Sequence, residues 1–414
     1  MGRGRRTQGS WRQRLGRAVV GLSAGALAAC GGPSTSPGEP APAAPPSPLG
    51  SGAPVASSTP SAAPEAEAGP PGRLRPIGDP VLEPVVDRLL RAALAAEGPG
   101  MALAVVTSRG VRLLKTYGHA DIEAGTPVEL DTLFDLASLS KPLTALAVLA
   151  LAERGAVRLA DPLARYLPEL GRRKTGRPVR LIDLLQMSSA LPEYTNAADA
   201  LGGAAPPTAE AVVRLVRYSP STREPGTAFD YTNTNYVLLA HVAERATGKP
   251  FARVLREDVL PALGMTDARV LDAGPEPAGR AVGYRRDATR FTRSRHDVPT
   301  LGDGGVLASL RDLVAWDAAL RRIEAGEPGL VGRAALELSE SPGRLDSGAR
   351  FGYGHGWFVS EAGPRRVHCA GTAAGTSAYV VRYLDEGLSV ILLSNQGGLD
   401  FHVVDTVAEL YRAR

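Results

Sequence analysis

Cysteine is nearly absent from this chain: Cys30 and Cys369 are the only two in 414 residues. That excludes a disulfide-stapled scaffold and the usual cysteine-rich zinc ligand sets. Lysine is almost as scarce, with Lys115, Lys141, Lys174 and Lys249 against 43 Arg, so each lysine can be weighed singly. No apolar run approaches the roughly 18–20 residues of a membrane-spanning helix. No lasting excess of one charge is present either. The total is 47 Lys+Arg against 43 Asp+Glu, but residues 1–30 hold six Arg and no acid. From Arg73 onward 41 basic residues face 40 acidic ones, which gives no support to a basic surface for nucleic acid. The sequence contains no P-loop and no H-E-x-x-H.

What is present begins with an address. Residues 1–17 are Arg-rich, and Ala18–Ala29 is a short apolar stretch ending in small residues. This is the outline of a secretory signal. The stretch ends Leu27-Ala28-Ala29-Cys30, which resembles the bacterial lipobox, so residues 1–30 are expected to be a lipoprotein-type signal with Cys30 lipidated. An ordinary cleaved signal with an incidental cysteine is the plainer alternative. Arg5-Arg6 lacks the surroundings of a twin-arginine signal, which leaves the export route open. Residues 31–75 are almost entirely Pro, Ala, Ser, Gly and Thr, a composition that buries too little to fold and reads as a disordered tether. Together these predict an exported domain, residues 76–414, held at the cell envelope by a lipid anchor.

Within that domain, Met101–Ser108 and Val111–Gly118 flank Arg109-Gly110 as a β-hairpin. Leu143, Leu146, Ala147, Ala150 and Leu151 follow helical spacing, with Pro142 in the first turn and Gly155 at the end. From about 156 to 330 the pattern is mainly helical with long loops. Thr208 followed by Glu210 opens one helix, and Tyr236–Thr247 closes another at Gly248. Strand patterns return at Thr376–Tyr383 and Leu388–Ser394 around Asp385-Glu386-Gly387, and Phe401–Tyr411 is a last helix. The expected fold class is α/β of the α+β type. Both chain ends form one antiparallel sheet flanked by helices, with an inserted all-α lobe.

Two motifs are decoys. Gly21-Leu22-Ser23-Ala24-Gly25 has the form of a nucleophile elbow but lies in the leader with no strand before it. Lys174-Thr175-Gly176 spells K-T-G in an Arg-rich polar stretch and reads as a surface loop. Ser138-Leu139-Ser140-Lys141 is the productive one. Residues three apart at a helix start share a face, so a lysine nitrogen can sit against the serine oxygen. The helix N-terminus adds positive potential and free N–H groups.

The surroundings make the S-x-x-K specific. Phe134-Asp135-Leu136-Ala137-Ser138-Leu139-Ser140-Lys141-Pro142-Leu143-Thr144 closely resembles the nucleophile segment of the serine β-lactamase and penicillin-binding protein superfamily, class C-like branch. Glu224-Pro225-Gly226-Thr227-Ala228-Phe229-Asp230-Tyr231-Thr232-Asn233-Thr234-Asn235-Tyr236 is similar to the Tyr-x-Asn segment of that family. Further matching stretches run in family order from about Pro99 to Asn395. The resemblance implies a β-lactamase/transpeptidase-like fold in which Ser138 forms an acyl-enzyme, Lys141 and Tyr231 activate it, and Asn233 holds Lys141 and the substrate. Either Lys141 or Tyr231 could take the proton. It implies no metal or organic cofactor.

In the third motif the family has a basic or His residue, a small residue and then Gly. Aligned without a gap, the chain offers Cys369-Ala370-Gly371; a one-residue insertion puts His368 in the basic position. Neighbouring strand residues face opposite sides, so only one of the two can face the pocket. The oxyanion donors would be the N–H groups of Ser138 and, in the gap-free register, Thr372, next to Gly371. Met187 and Ala190 stand where the family has His and Gly, which predicts a reshaped loop. The expected substrate is a small molecule or peptide with an ester, amide or β-lactam carbonyl, taken by a monomer. The irregular third motif weakens both classes whose substrates carry a carboxylate, D-alanyl peptides and β-lactams, and the expectation leans toward esterase or peptidase over efficient β-lactamase activity. A non-catalytic peptidoglycan- or peptide-binding protein on the same fold is the alternative.

Overall fold

The computed structural model describes residues 76–95, 97–170, 176–197, 208–219, 223–272, 276–287, 290–295, 300–360 and 362–413. The leader, Cys30, the tether and the elbow-like Gly21–Gly25 lie outside these, as do Lys174 and Thr175.

The strands that matter are β1 (Met101–Thr107), β2 (Gly110–Tyr117), β3 (Phe134–Asp135), β4 (Val306–Ala308), β5 (Phe358–Ser360), β6 (Arg366–Ala373), β7 (Thr376–Tyr383) and β8 (Leu388–Ser394). The helices are α1 (Glu83–Ala93), α2 (Lys141–Glu153), α3 (Ala209–Tyr218), α4 (Asn233–Thr247), α5 (Leu310–Glu324) and α6 (His402–Arg412). Six strands form one sheet in the order β5-β6-β7-β8-β1-β2, with every neighbouring pair antiparallel. The expected sheet from both chain ends is therefore present, and the hairpin 376–394 has the expected bounds.

Alternation along the strands explains why the sheet is apolar on both sides. Met101, Leu103 and Val105 join Val381 and Val390 under α1 and α6, where Val86, Leu90, Val404 and Val407 meet them. Ala102 and Ala104 face the opposite way with Val380, Ile391 and Leu393, against the residues of α2 and α5. Helix α2 lies in the larger of these cores and is buried from Lys141 through Leu151, as a helix apolar on all sides must be. It ends at Glu153 with Arg154 as its cap, and Gly155 follows at φ +73°, the left-handed conformation that glycine tolerates best. Helix α4 closes in the same way at Gly248, φ +69°.

Between the halves of the sheet, the chain is mainly helical, as its periodicity predicted. One correction concerns Tyr284–Asp287 and Arg290–Arg293, which form a two-stranded hairpin inside this region. All but two of its residues are solvent-exposed, so it carries no apolar alternation by which to be recognised.

Candidate active site

The short strand β3 pairs with β4 and delivers the chain into a tight turn. Ala137 adopts φ +43°, a conformation a non-glycine residue holds only under constraint. The constraint is visible. The Asp135 carboxylate accepts the Ala137 N–H at 2.8 Å, and the Leu136 carbonyl accepts the Leu139 N–H at 2.9 Å. A 3-10 turn, Ala137–Ser140, leads into α2, with Lys141 its first residue. Ser138 is left half-buried at the front of the helix.

One turn on, Lys141 Nζ lies 2.8 Å from Ser138 Oγ. It also donates to Asn233 Oδ1 at 2.8 Å and to the Asp303 carbonyl at 3.0 Å. Its side chain has no solvent exposure. Burial pushes the ammonium down, but the acids Tyr231 and Asp303 beside it outweigh that and leave it above the ordinary lysine value. Nζ stands 5.2 Å from the centre of the Tyr231 ring. That ring is fixed by stacking on Phe358 at 5.9 Å and by an edge contact with Tyr353 at 6.0 Å.

Asn233 is the first residue of α4, and Glu193 Oε2 accepts its N–H at 2.7 Å. A carboxylate at a helix N-terminus is favourable on charge grounds as well. Met187 and Ala190 carry the loop behind Tyr231, at φ +58° and +57°. The Met187 carbonyl accepts the Asp230 N–H and the Ser188 carbonyl accepts the Gly226 N–H, both at 2.8 Å. Met187 Sδ takes a hydrogen bond from Asn235 Nδ2 at 3.2 Å. This loop braces the segment leading into Tyr231, so the two departures serve packing and a turn.

Strand β6 forms the opposite wall. Cys369, buried, points at the turn, its Sγ 3.6 Å from the Ser138 carbonyl. Burial pushes its thiol up to about 12, with Lys141 pulling weakly the other way. His368 lies on the other face, against Phe358 at 5.3 Å and Tyr379 at 5.8 Å. Burial, aided by the Arg366 charge, lowers it to about 4. The adopted register is thus the gap-free one, and His368, a candidate under the insertion, is not brought to the site. Gly371 is where β6 touches the turn: a Cβ there would sit 1.9 Å from the Leu136 carbonyl oxygen. Thr372 follows, exposed at the edge.

Sequence reasoning missed the layer behind Lys141. The buried Asp303 carboxylate accepts from the Tyr194 hydroxyl at 2.8 Å and from Thr300 Oγ1 at 3.2 Å. A hint was available, because Asp303 lies within the span from Pro99 to Asn395 over which the resemblance runs, directly before the Gly304-Gly305 pair.

Nucleophile-type serine, buried amine, phenol and amide thus converge from a turn, two helix starts and a preceding loop. The arrangement suits attack on a carbonyl carbon followed by acyl transfer.

The beta-lactamase family model matches residues 86–413. A penicillin-binding protein of Bacillus subtilis is 32% identical over 300 residues, covering 68% of this chain and 64% of that protein. The D-aminopeptidase of Brucella anthropi is 32% identical over 309 residues, covering 73% of this chain and 57% of the enzyme. The chain therefore spans less than two thirds of the length of either relative. Among solved structures, the octameric penicillin-binding protein homologue from Pyrococcus abyssi superposes with a TM-score of 0.69 at 24% identity, covering 81% of this chain and 77% of that one. That likeness is one of fold. The octamer is a property of that protein. On the family match, the order of the motifs and the geometry of Ser138, Lys141, Tyr231 and Asn233, the chain belongs to the beta-lactamase family.

Proposed function

We propose that this protein is a serine hydrolase that cleaves amide or ester bonds of small peptide-like substrates through an acyl-enzyme on Ser138. The observation that carries this reading is Lys141 Nζ at 2.8 Å from both Ser138 Oγ and Asn233 Oδ1. Ser138 Oγ attacks the substrate carbonyl while its proton passes to Lys141 or Tyr231. The tetrahedral oxyanion is met by the N–H groups of Ser138 and Thr372. Collapse expels the amine or alcohol, which takes up the proton, and water then releases the acid from Ser138.

The wall facing Ser138 narrows the substrate. Cys369 is buried and its thiol is held neutral, so it supplies no cation to pair with a carboxylate next to the scissile bond. This favours substrates whose leaving side is uncharged, such as peptide amides and esters, over D-alanyl-D-alanine ends or β-lactams. The D-aminopeptidase relative points to D-residues on the acyl side.

The test is to incubate the protein with D- and L-alanine nitroanilides, a nitrophenyl ester and a penicillin, with intact mass reporting adducts. Turnover of the D-amide or ester with an acyl adduct that disappears in Ser138→Ala is the expected result. No adduct and no turnover with any of the four sinks the catalytic reading in favour of a binding protein.

The leader pattern through Cys30 supports a lipid-anchored, exported protein. Blocking lipoprotein processing in cells should change the mass of the mature protein, and an unchanged mass removes the anchor.

A further inference from the structure

Lys141 sets an electrostatic problem that its immediate partners do not solve. Its side chain is entirely out of solvent, and an ammonium taken out of water needs an anion nearby. Yet Ser138 Oγ, Asn233 Oδ1 and the Asp303 carbonyl are all neutral. A neutral amine would satisfy the same geometry, with two N–H groups to Asn233 and Asp303 and the lone pair to the Ser138 hydroxyl. The two forms differ in the direction of one hydrogen bond. With that direction goes the ability of Lys141 to take the Ser138 proton.

The balance is tipped one layer back. The Asp303 carboxylate is buried and accepts from the Tyr194 and Thr300 hydroxyls; burial raises its carboxyl above the ordinary value, and the Lys141 charge and these donors oppose that. Two hydroxyl donors suit a carboxylate better than a carboxylic acid. The loop cannot drift away. The Thr144 hydroxyl donates to the Gly302 carbonyl at 2.8 Å, and Gly302, at φ +104°, lies so close to α4 that a Cβ would come within 2.3 Å of the Tyr236 carbonyl oxygen. The groups around Lys141 are Ser138 from its own turn, Tyr231 from the loop before α4, Asn233 from the first position of α4, Cys369 from β6, and Asp303. Tyr231 and then Asp303 are the groups that favour the ammonium most, and Asp303 is the one carboxylate among the groups just named.

We propose that Asp303, held by Tyr194 and Thr300, is a positioning residue that keeps Lys141 in its ammonium form, aimed at Ser138. With Lys141 an ammonium, the Ser138 proton goes to Tyr231, the other base named above; that consequence rests on Ser138 being the reacting serine, but the charge on Lys141 can be measured without turnover.

With four lysines in the chain, labelling lysine at 13Cε in the full-length protein gives a countable set of signals. The Lys141 signal is identified by its loss in Lys141→Arg. In the wild type it stays at the ammonium position past about pH 10. In Asp303→Asn its midpoint falls by about one pH unit or more, and Asp303→Ser, an independent charge-removing variant, behaves alike. Circular dichroism identifies which variants are folded. An unchanged midpoint in a folded variant overturns the proposal, and so does a wild-type Lys141 signal already titrating near pH 8. Acylation of Ser138 is followed separately by mass, so failure of the catalytic reading and failure of this one are distinguishable.

Discussion

Gly371→Ala is the smallest change that separates the geometry of this site from its chemistry. Gly371 does not have a positive φ, so its backbone would accept alanine, and the whole effect must come from space. The new Cβ would lie 1.9 Å from the Leu136 carbonyl oxygen and 3.0 Å from both the Leu136 carbonyl carbon and the Leu139 nitrogen. These are backbone atoms of the Ser138 turn, so no side-chain rotation relieves the clash. The turn or β6 must withdraw by about 1 Å. Neither is free to do so. The turn is tied down by the Leu136 N–H to Val306 carbonyl bond at 2.9 Å, and the clashing oxygen itself accepts the Leu139 N–H. The strand is in register with β7, with Gly371 opposite Ala378. Overpacking of this kind costs about 1–3 kcal/mol, and misplacing a reacting group by about 1 Å costs about 100-fold in rate. Urea unfolding gives the first quantity, and the acylation rate of Ser138 by a nitrophenyl ester gives the second. Gly155→Ala is the control: φ is +73° and no atom lies within 4 Å. It should lose about 1 kcal/mol to backbone strain with acylation unchanged. The reasoning fails if Gly371→Ala keeps its stability within about 0.5 kcal/mol and its acylation within about threefold of wild type.

Three further outcomes are expected. Ala190, at φ +57°, is a non-glycine in a glycine conformation, so Ala190→Gly should raise stability by up to about 1 kcal/mol in urea titration, whereas Ala147→Gly in α2 should lose about as much. Burial holds His355 at about 4, below its ordinary 6.5; its contribution is whole above pH 6.5 and is lost as the pH falls toward 4. Between pH 7 and 5 the wild type should therefore lose about 2 kcal/mol more than His355→Leu, and parallel losses in the two proteins would remove His355 as the cause. Cys369→His places an ionisable group on the wall facing Ser138. It should raise the ratio of acylation by a carboxylate-bearing substrate to acylation by its neutral analogue by about tenfold, equivalent to about 1.4 kcal/mol; an unchanged ratio would show that Cys369 does not set the preference.

The parts of this protein legible in its sequence are those whose chemistry is local. Ser138 and Lys141 are one helical turn apart, and that turn alone brings Nζ to Oγ. Tyr231 precedes α4 and Asn233 opens it, so both are read from one short segment. The hairpin 376–394 shows as two apolar runs around a turn. The exposed hairpin at 284–293 had no such pattern and stayed hidden.

The two features that shape the chemistry most depend on contacts that no spacing encodes. Tyr194 and Asp303 meet across 109 residues, and apart they look like any polar loop residues. They become a buried pair only once the loop before β4 is pressed against α4 at Gly302. The choice between Cys369 and His368 has the same origin. On a strand the side chains alternate, so one residue of β6 fixes the facing of all the others. That residue is Gly371, which alone lets β6 lie against the Leu136 carbonyl. With Gly371 facing the turn, Cys369 two residues earlier must face it too, and His368 must face away. The neutral wall opposite Ser138 is therefore a consequence of where the strand has no side chain.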